Sequence, residues 1–122
     1  MTSVLIVDDE LSIVTFLKEV LDFHGFELKD VALNGEEAVQ KYKDSNPKPD
    51  IILMDHRMPI KTGLDAAKEI LEYDPEANVI FTSADDYIKE KALSLGALTF
   101  KTKPFTIEKL IRNINKILKS KI

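Results

Sequence analysis

Short unbroken apolar runs alternate along this chain with segments of helical periodicity. Val4-Leu5-Ile6-Val7, Ile51-Ile52-Leu53-Met54 and Val79-Ile80-Phe81 contain no polar residue. Runs of this length fit strands buried on both faces, as in a parallel sheet covered by helices. Residues 26–32 mix Glu27, Lys29 and Asp30 with apolar residues, which fits a strand nearer the sheet edge. Residues 98–101 read as a fifth, weaker strand. Between these lie the helices. Leu11, Val14, Leu17 and Leu21 share one face; Ala38, Val39 and Tyr42 follow the Asn34-Gly35 turn; Leu64, Ala67, Ile70 and Leu71 follow Gly63. Ile88, Ala92 and Leu95 precede Gly96, a natural helix stop. Ile107, Leu110, Ile111, Ile114, Ile117 and Leu118 form the broadest apolar stripe. Lys116, Lys119 and Lys121 crowd its C-terminal end, where the helix dipole favours cations.

The pattern is βα repeated five times. Right-handed crossovers then give an α/β, doubly wound parallel sheet with helices on both faces. No linker or low-complexity segment interrupts it, so residues 1–122 are expected to form a single domain with no output domain.

Composition narrows the function classes. Of 122 residues, 44% are hydrophobic, enough for a core, and the net charge of −4 argues against sequence-independent nucleic-acid binding. The absence of cysteine removes disulfides, thiolate metal sites and thiol nucleophiles. No apolar run approaches the roughly 20 residues that span a bilayer, and the first residues lack a signal-peptide pattern. A cytoplasmic protein without membrane contact is the simplest expectation.

The candidate chemistry sits at strand ends. In an open α/β sheet, ligands bind outside the carboxyl ends of the strands, near the switch in strand order. The first strand runs into Asp8, Asp9 and Glu10, the third into Asp55, the fourth into Thr82 and Ser83, and the fifth into Lys103-Pro104. Two unit charges about 5 Å apart at an effective dielectric near 20 repel by roughly 3 kcal/mol. Three converging carboxylates therefore call for cations. Hard oxygen donors suit Mg²⁺, and Lys103 supplies a second positive charge. A metal, a lysine and a hydroxyl around one carboxylate suit phosphoryl transfer to that carboxylate.

"VLIVDDE", "DIILMDHRMP" with Gly63 after it, "SAD" and "KPF" together resemble the receiver domain of two-component response regulators, over essentially the whole chain. "GALTFKTKPF" resembles stand-alone receivers. The resemblance implies a flavodoxin-like sheet of order 2-1-3-4-5. It implies Asp55 as the phosphoacceptor, taking a phosphoryl group from a histidine kinase or phosphotransfer protein. Asp8, Asp9, Asp55 and the backbone carbonyl of Arg57 would hold Mg²⁺. Ser83 would bond the phosphoryl group, because it precedes Ala84 as the family's hydroxyl precedes its alanine, with Thr82 as the alternative. Lys103 would pair with the phosphoryl group, its bond to Pro104 would be cis, and Phe100 would be the aromatic switch. Arg57 and Asp85 would tune access of water. The protein would assist its own phosphorylation and dephosphorylation without being a turnover enzyme, and would act on an effector protein.

Simpler readings stand beside these. Asp8 and Asp9 suit a helix N-terminus, Phe100 suits a core, and His56 reads as a solvent-facing bystander. His24 fits a helix end, and Met54 and Met58 fit packing. An aspartyl phosphatase would want an Asp two residues after its nucleophile, where this chain has Arg57. A flavodoxin-like cofactor binder would want a Ser/Thr/Gly-rich loop where this chain has "DDELS".

Overall fold

The structure, a computed structural model, describes residues 2–120. Five parallel strands form one sheet: β1 (Ser3–Val7), β2 (Glu27–Ala32), β3 (Ile51–Met54), β4 (Val79–Ser83) and β5 (Thr99–Thr102), in the order β2-β1-β3-β4-β5. The helices are α1 (Leu11–Phe23), α2 (Gly35–Asp44), α3 (Gly63–Tyr73), α4 (Lys89–Leu95) and α5 (Ile107–Ser120). This is the flavodoxin-like arrangement expected.

The unbroken apolar runs become the central strands β1, β3 and β4, buried along their whole length. Alternate residues serve two cores. Leu5, Val7, Ile52, Met54, Val79 and Phe81 pack with residues of α2, α3 and α4. Val4, Ile6, Ile51, Leu53 and Ile80 pack with those of α1 and α5. Each fully buried Leu, Ile or Phe contributes roughly 1.5–3 kcal/mol. Met54 and Met58 are buried, and His24 caps the C-terminus of α1. The mixed strand β2 lies at an edge, where only one neighbour constrains it.

Three expectations shift. Leu11 is 66% exposed, although it falls on the periodic face of α1. It is the first residue of the helix, and the buried stripe begins only at Val14. β5 starts at Thr99 rather than at residue 98. The fourth helical segment divides into a 3₁₀ turn (Asp86–Ile88) and the seven-residue α4. Lys121, read as part of the basic end of α5, lies outside the described residues.

The loops above the sheet are held by backbone. Asn34 caps α2 by accepting from the Glu37 N–H at 2.9 Å, and Glu37 reaches back to accept from the Leu33 N–H at 3.3 Å. Gly35 donates its N–H to the Lys61 carbonyl at 3.0 Å, and a Cβ there would collide with that carbonyl. Gly63 donates to the His56 carbonyl at 2.9 Å, and a Cβ on it would strike the backbone carbonyl of Asp55. Both glycines let a helix start come up against the loop that follows β3. Within that loop Ile60 has φ 71°, and the Lys61 N–H bonds the Pro59 carbonyl at 2.8 Å, an i to i+2 turn. The Lys103–Pro104 bond is cis, as the resemblance implies, and so is Asn46–Pro47.

Candidate functional site

The strand ends do converge. Asp8, directly after β1, donates its N–H to the Ala32 carbonyl at 3.1 Å, and Asp55, directly after β3, donates to the Val7 carbonyl at 2.9 Å. These ladder bonds fix both carboxylates side by side at the switch point between β1 and β3. Asp8 and Asp55 are buried and Asp9 is exposed. One carboxylate oxygen from each of the three lies within 4.8 Å of the others.

Lys103 meets this cluster from across the sheet. Its Nζ lies 2.9 Å from Asp8 Oδ2 and 3.8 Å from Asp55 Oδ1. The Lys103 N–H also donates to the Ser83 carbonyl at 2.8 Å, tying the end of β5 to that of β4. Asp8 Oδ1 accepts from the Glu10 N–H at 3.0 Å, and Asp55 Oδ1 from the His56 N–H at 2.8 Å. Burial pushes the Asp55 carboxyl up from 3.8 to about 6, against the lowering effect of Lys103 and with added repulsion from Asp8. Three carboxylates share this one lysine, which leaves the cluster short of positive charge. Three hard oxygen donors with residual negative charge, one of them facing open solvent, fit a divalent cation of the Mg²⁺ type.

A cleft of about 360 Å³ opens over these groups, lined by Asp9, Glu10, Asp55, Arg57, Ser83, Ala84, Asp85 and Lys103. Ser83 is fully buried, and its Oγ accepts from the Asp85 N–H at 3.1 Å. Thr82, one residue earlier on β4, is also buried but does not line the cleft. Arg57 reaches over to Asp85 at 2.6 Å. Phe100 is 7% exposed, its ring stacked on Phe81 with centroids 6.0 Å apart.

His56 departs from its expected place. It is half-buried, and its Nδ1 faces the Leu64 N–H at 3.4 Å, a long bond to an orphan donor of α3. Burial lowers its pKa below the ordinary value. Sequence reasoning also missed Lys61, which bridges Glu36 of α2 and Glu69 of α3. Nothing in the local pattern separates Lys61 from an ordinary loop lysine.

A doubly wound sheet whose switch point presents an acidic metal cluster, a lysine and a buried hydroxyl defines a class of phosphate-handling α/β domain. Comparison with known proteins gives the family. Residues 4–115 match the response regulator receiver domain, and the chain belongs to that family, whose members are phosphoacceptor signalling domains rather than conventional enzymes. It is 42% identical over 118 residues to the chemotaxis protein CheY of Thermotoga maritima, covering 95% of this chain and 97% of that one. It is 38% identical over 117 residues to CheY of Bacillus subtilis, covering 94% and 96%. Among solved structures, CheY in the CheX–CheY–BeF₃–Mg²⁺ complex of Borrelia burgdorferi superposes with a TM-score of 0.91 at 36% identity, covering 95% of this chain and 88% of that one. The Thermotoga maritima response regulator TrrA, in complex with Mg²⁺–BeF, superposes with a TM-score of 0.87 at 34% identity, covering 95% and 98%. Among the described residues, no helix is long and apolar enough to cross a membrane.

Proposed function

We propose that Asp55 is the phosphoacceptor, and that it takes its phosphoryl group from a phosphohistidine on a sensor histidine kinase or phosphotransfer protein. A carboxylate oxygen attacks phosphorus, the N–P bond breaks, and the imidazole leaves with the electron pair and regains a proton from solvent. With Oδ1 engaged by His56 and Lys103, Oδ2 is the attacking oxygen. Asp8, Asp9, Asp55 and the Arg57 backbone carbonyl would hold Mg²⁺. Mg²⁺ there would supply positive charge opposite the phosphoryl oxygens. Lys103 turns from Asp8 and Asp55 toward a phosphoryl oxygen. Ser83 donates its hydroxyl to another oxygen, Ala84 leaves room for the group, and Thr82 stays in the strand.

The observation that carries this reading is the position of Asp55. It is the buried carboxylate on the floor of the open cleft, with a cation 3.8 Å away. The Mg²⁺ and beryllofluoride held by the two superposed relatives support it, since beryllofluoride has the shape and charge of a phosphoryl group. The protein assists its own phosphorylation and dephosphorylation through these groups. It acts in the cytoplasm by changing its surface toward an effector protein, with Phe100 following Ser83, and without binding nucleic acid.

The test is incubation with a small acyl phosphate and Mg²⁺, followed by intact-mass measurement. Wild type gains one phosphoryl group; Asp55→Asn does not, and excess chelator abolishes the gain. Equal labelling of Asp55→Asn overturns the assignment.

A further inference from the structure

Away from the acidic cleft, a second groove of about 550 Å³ runs between the C-terminal end of α1 and α5. Ile111 gives it an apolar wall, and Arg112, Lys116 and Lys119 line it from α5. Glu108 lines it from the same helix, so three cations outweigh one acid on this face of a chain of net charge −4. His24 lines the groove from the α1 side. The Phe23 ring stands edge-on against His24 with centroids 5.3 Å apart, so it marks the α1 lip, and it is 85% exposed. Phe16, 50% exposed, lies seven residues earlier and so on the same side of the helix. Glu19 is exposed between them.

We propose that a second copy of this chain covers this groove, in a two-fold dimer in which Phe23 of each copy enters the groove of the other. A two-fold interface must match itself. This patch does: it carries exposed aromatic knobs and an apolar-walled groove, and an acid on one lip opposite cations on the other. Glu19 of one copy then faces the α5 cations of its partner, and the reverse contact follows by symmetry. An acidic helix from another protein would meet the same cations but would also face Glu19.

The helices limit the strength. α1 has 13 residues and α5 has 14, so each is about 20 Å long. Pairing them buries on the order of 1,000 Å² in total, at the lower limit of specific interfaces. Interfaces at this end of the size range are weak and transient. The groove lies at the C-terminal end of α1, whereas Asp9 and Glu10 of the cleft precede its N-terminus. Dimerisation does not depend on the role of Asp55.

Sedimentation velocity on unphosphorylated, metal-free protein tests this, over concentrations from about 5 μM to about 1 mM, the range in which weak self-association is populated. The weight-average sedimentation coefficient of wild type rises toward that of a dimer. Phe23→Ser and, separately, Lys116→Glu raise Kd at least about tenfold, as expected for interface anchors. Both side chains are exposed, so folding is retained, and circular dichroism checks it. Wild type that stays monomeric throughout overturns the proposal. So does Phe23→Ser associating as tightly as wild type, which would place the contact elsewhere.

Discussion

Arg57 and Asp85 meet at 2.6 Å, closing a bridge between the loop after β3 and the loop after β4. Both line the cleft over Asp55, one on each side. A carboxyl phosphate hydrolyses when water reaches phosphorus in line, and this pair lies across that approach. Arg57→Ala and Asp85→Ala should each shorten the phosphoryl lifetime by about threefold to tenfold. The double variant should match either single one, since all three lose the same bridge. Decay followed by intact mass checks this; unchanged lifetimes would show that the bridge does not screen water.

Asp55 should make the metal-free fold pH-sensitive. Its carboxyl is raised from 3.8 to about 6, mainly by burial. The folded state therefore binds the proton more tightly than the unfolded state. Its favourable contribution is complete below 3.8 and is lost as pH rises through about 6. The full shift corresponds to about 3 kcal/mol, and water in the open cleft screens it to about 1–2 kcal/mol. Asp55→Asn should thus stabilise the metal-free protein by about 1–2 kcal/mol near neutral pH. The gain should vanish in acid. Urea unfolding across this range gives the answer, and a constant difference at every pH would contradict it.

Lys103 is the cation bonded to the buried Asp8 at 2.9 Å. Removing it leaves the buried Asp8 carboxyl without its cationic partner, which costs about 3 kcal/mol. Lys103→Met should lower stability by that amount, and added Mg²⁺ should recover most of it. If Mg²⁺ recovers nothing, the loss is one of packing rather than charge.

Ile60 has φ 71° while 80% exposed. A β-branched residue in this region is strained by about 1–2 kcal/mol, and its exposed side chain returns little burial. Ile60→Gly should therefore raise stability by about 0.5–1 kcal/mol, glycine having no Cβ to strain at positive φ. Thermal unfolding reads this directly. A lower midpoint would show that the isoleucine makes a contribution in the loop that outweighs its strain.

Ser83 and Phe100 should act together. The Ser83 hydroxyl accepts from the Asp85 N–H, so its movement toward a phosphoryl group would disturb the loop after β4. Phe100 stands inward on Phe81 and has no hydroxyl to fix either rotamer, so coupling rests on packing alone. Ser83→Ala should still accept phosphate on Asp55. Its NMR shifts around Phe100 should not respond to a phosphoryl mimic, whereas those of wild type should. The same response in both proteins would route the switch through other residues.

The strands β1, β3 and β4 were legible because burial on both faces leaves no polar position to blur them. The convergence of Asp8, Asp55, Ser83 and Lys103 was legible too, because parallel strands deliver their carboxyl ends to one side. What failed depends on neighbours distant in sequence. Leu11 keeps the helical period but lies ahead of the buried stripe. The half-burial of His56 comes from a helix start eight residues on. The pairing of Arg57 with Asp85 spans 28 residues. The strain at Ile60 opposes local preference, so no propensity argument reaches it.

The bond between Asp8 and Lys103 joins residues 95 apart in the chain. Closing a loop of this length costs entropy that must be met before the contact returns anything. On the ribosome, β1 and β3 with their acids emerge well before the lysine that holds them, and β5 then adds at the free edge of a sheet already begun. The acidic cluster gains its lysine only from the segment that follows β5, the last strand in chain order.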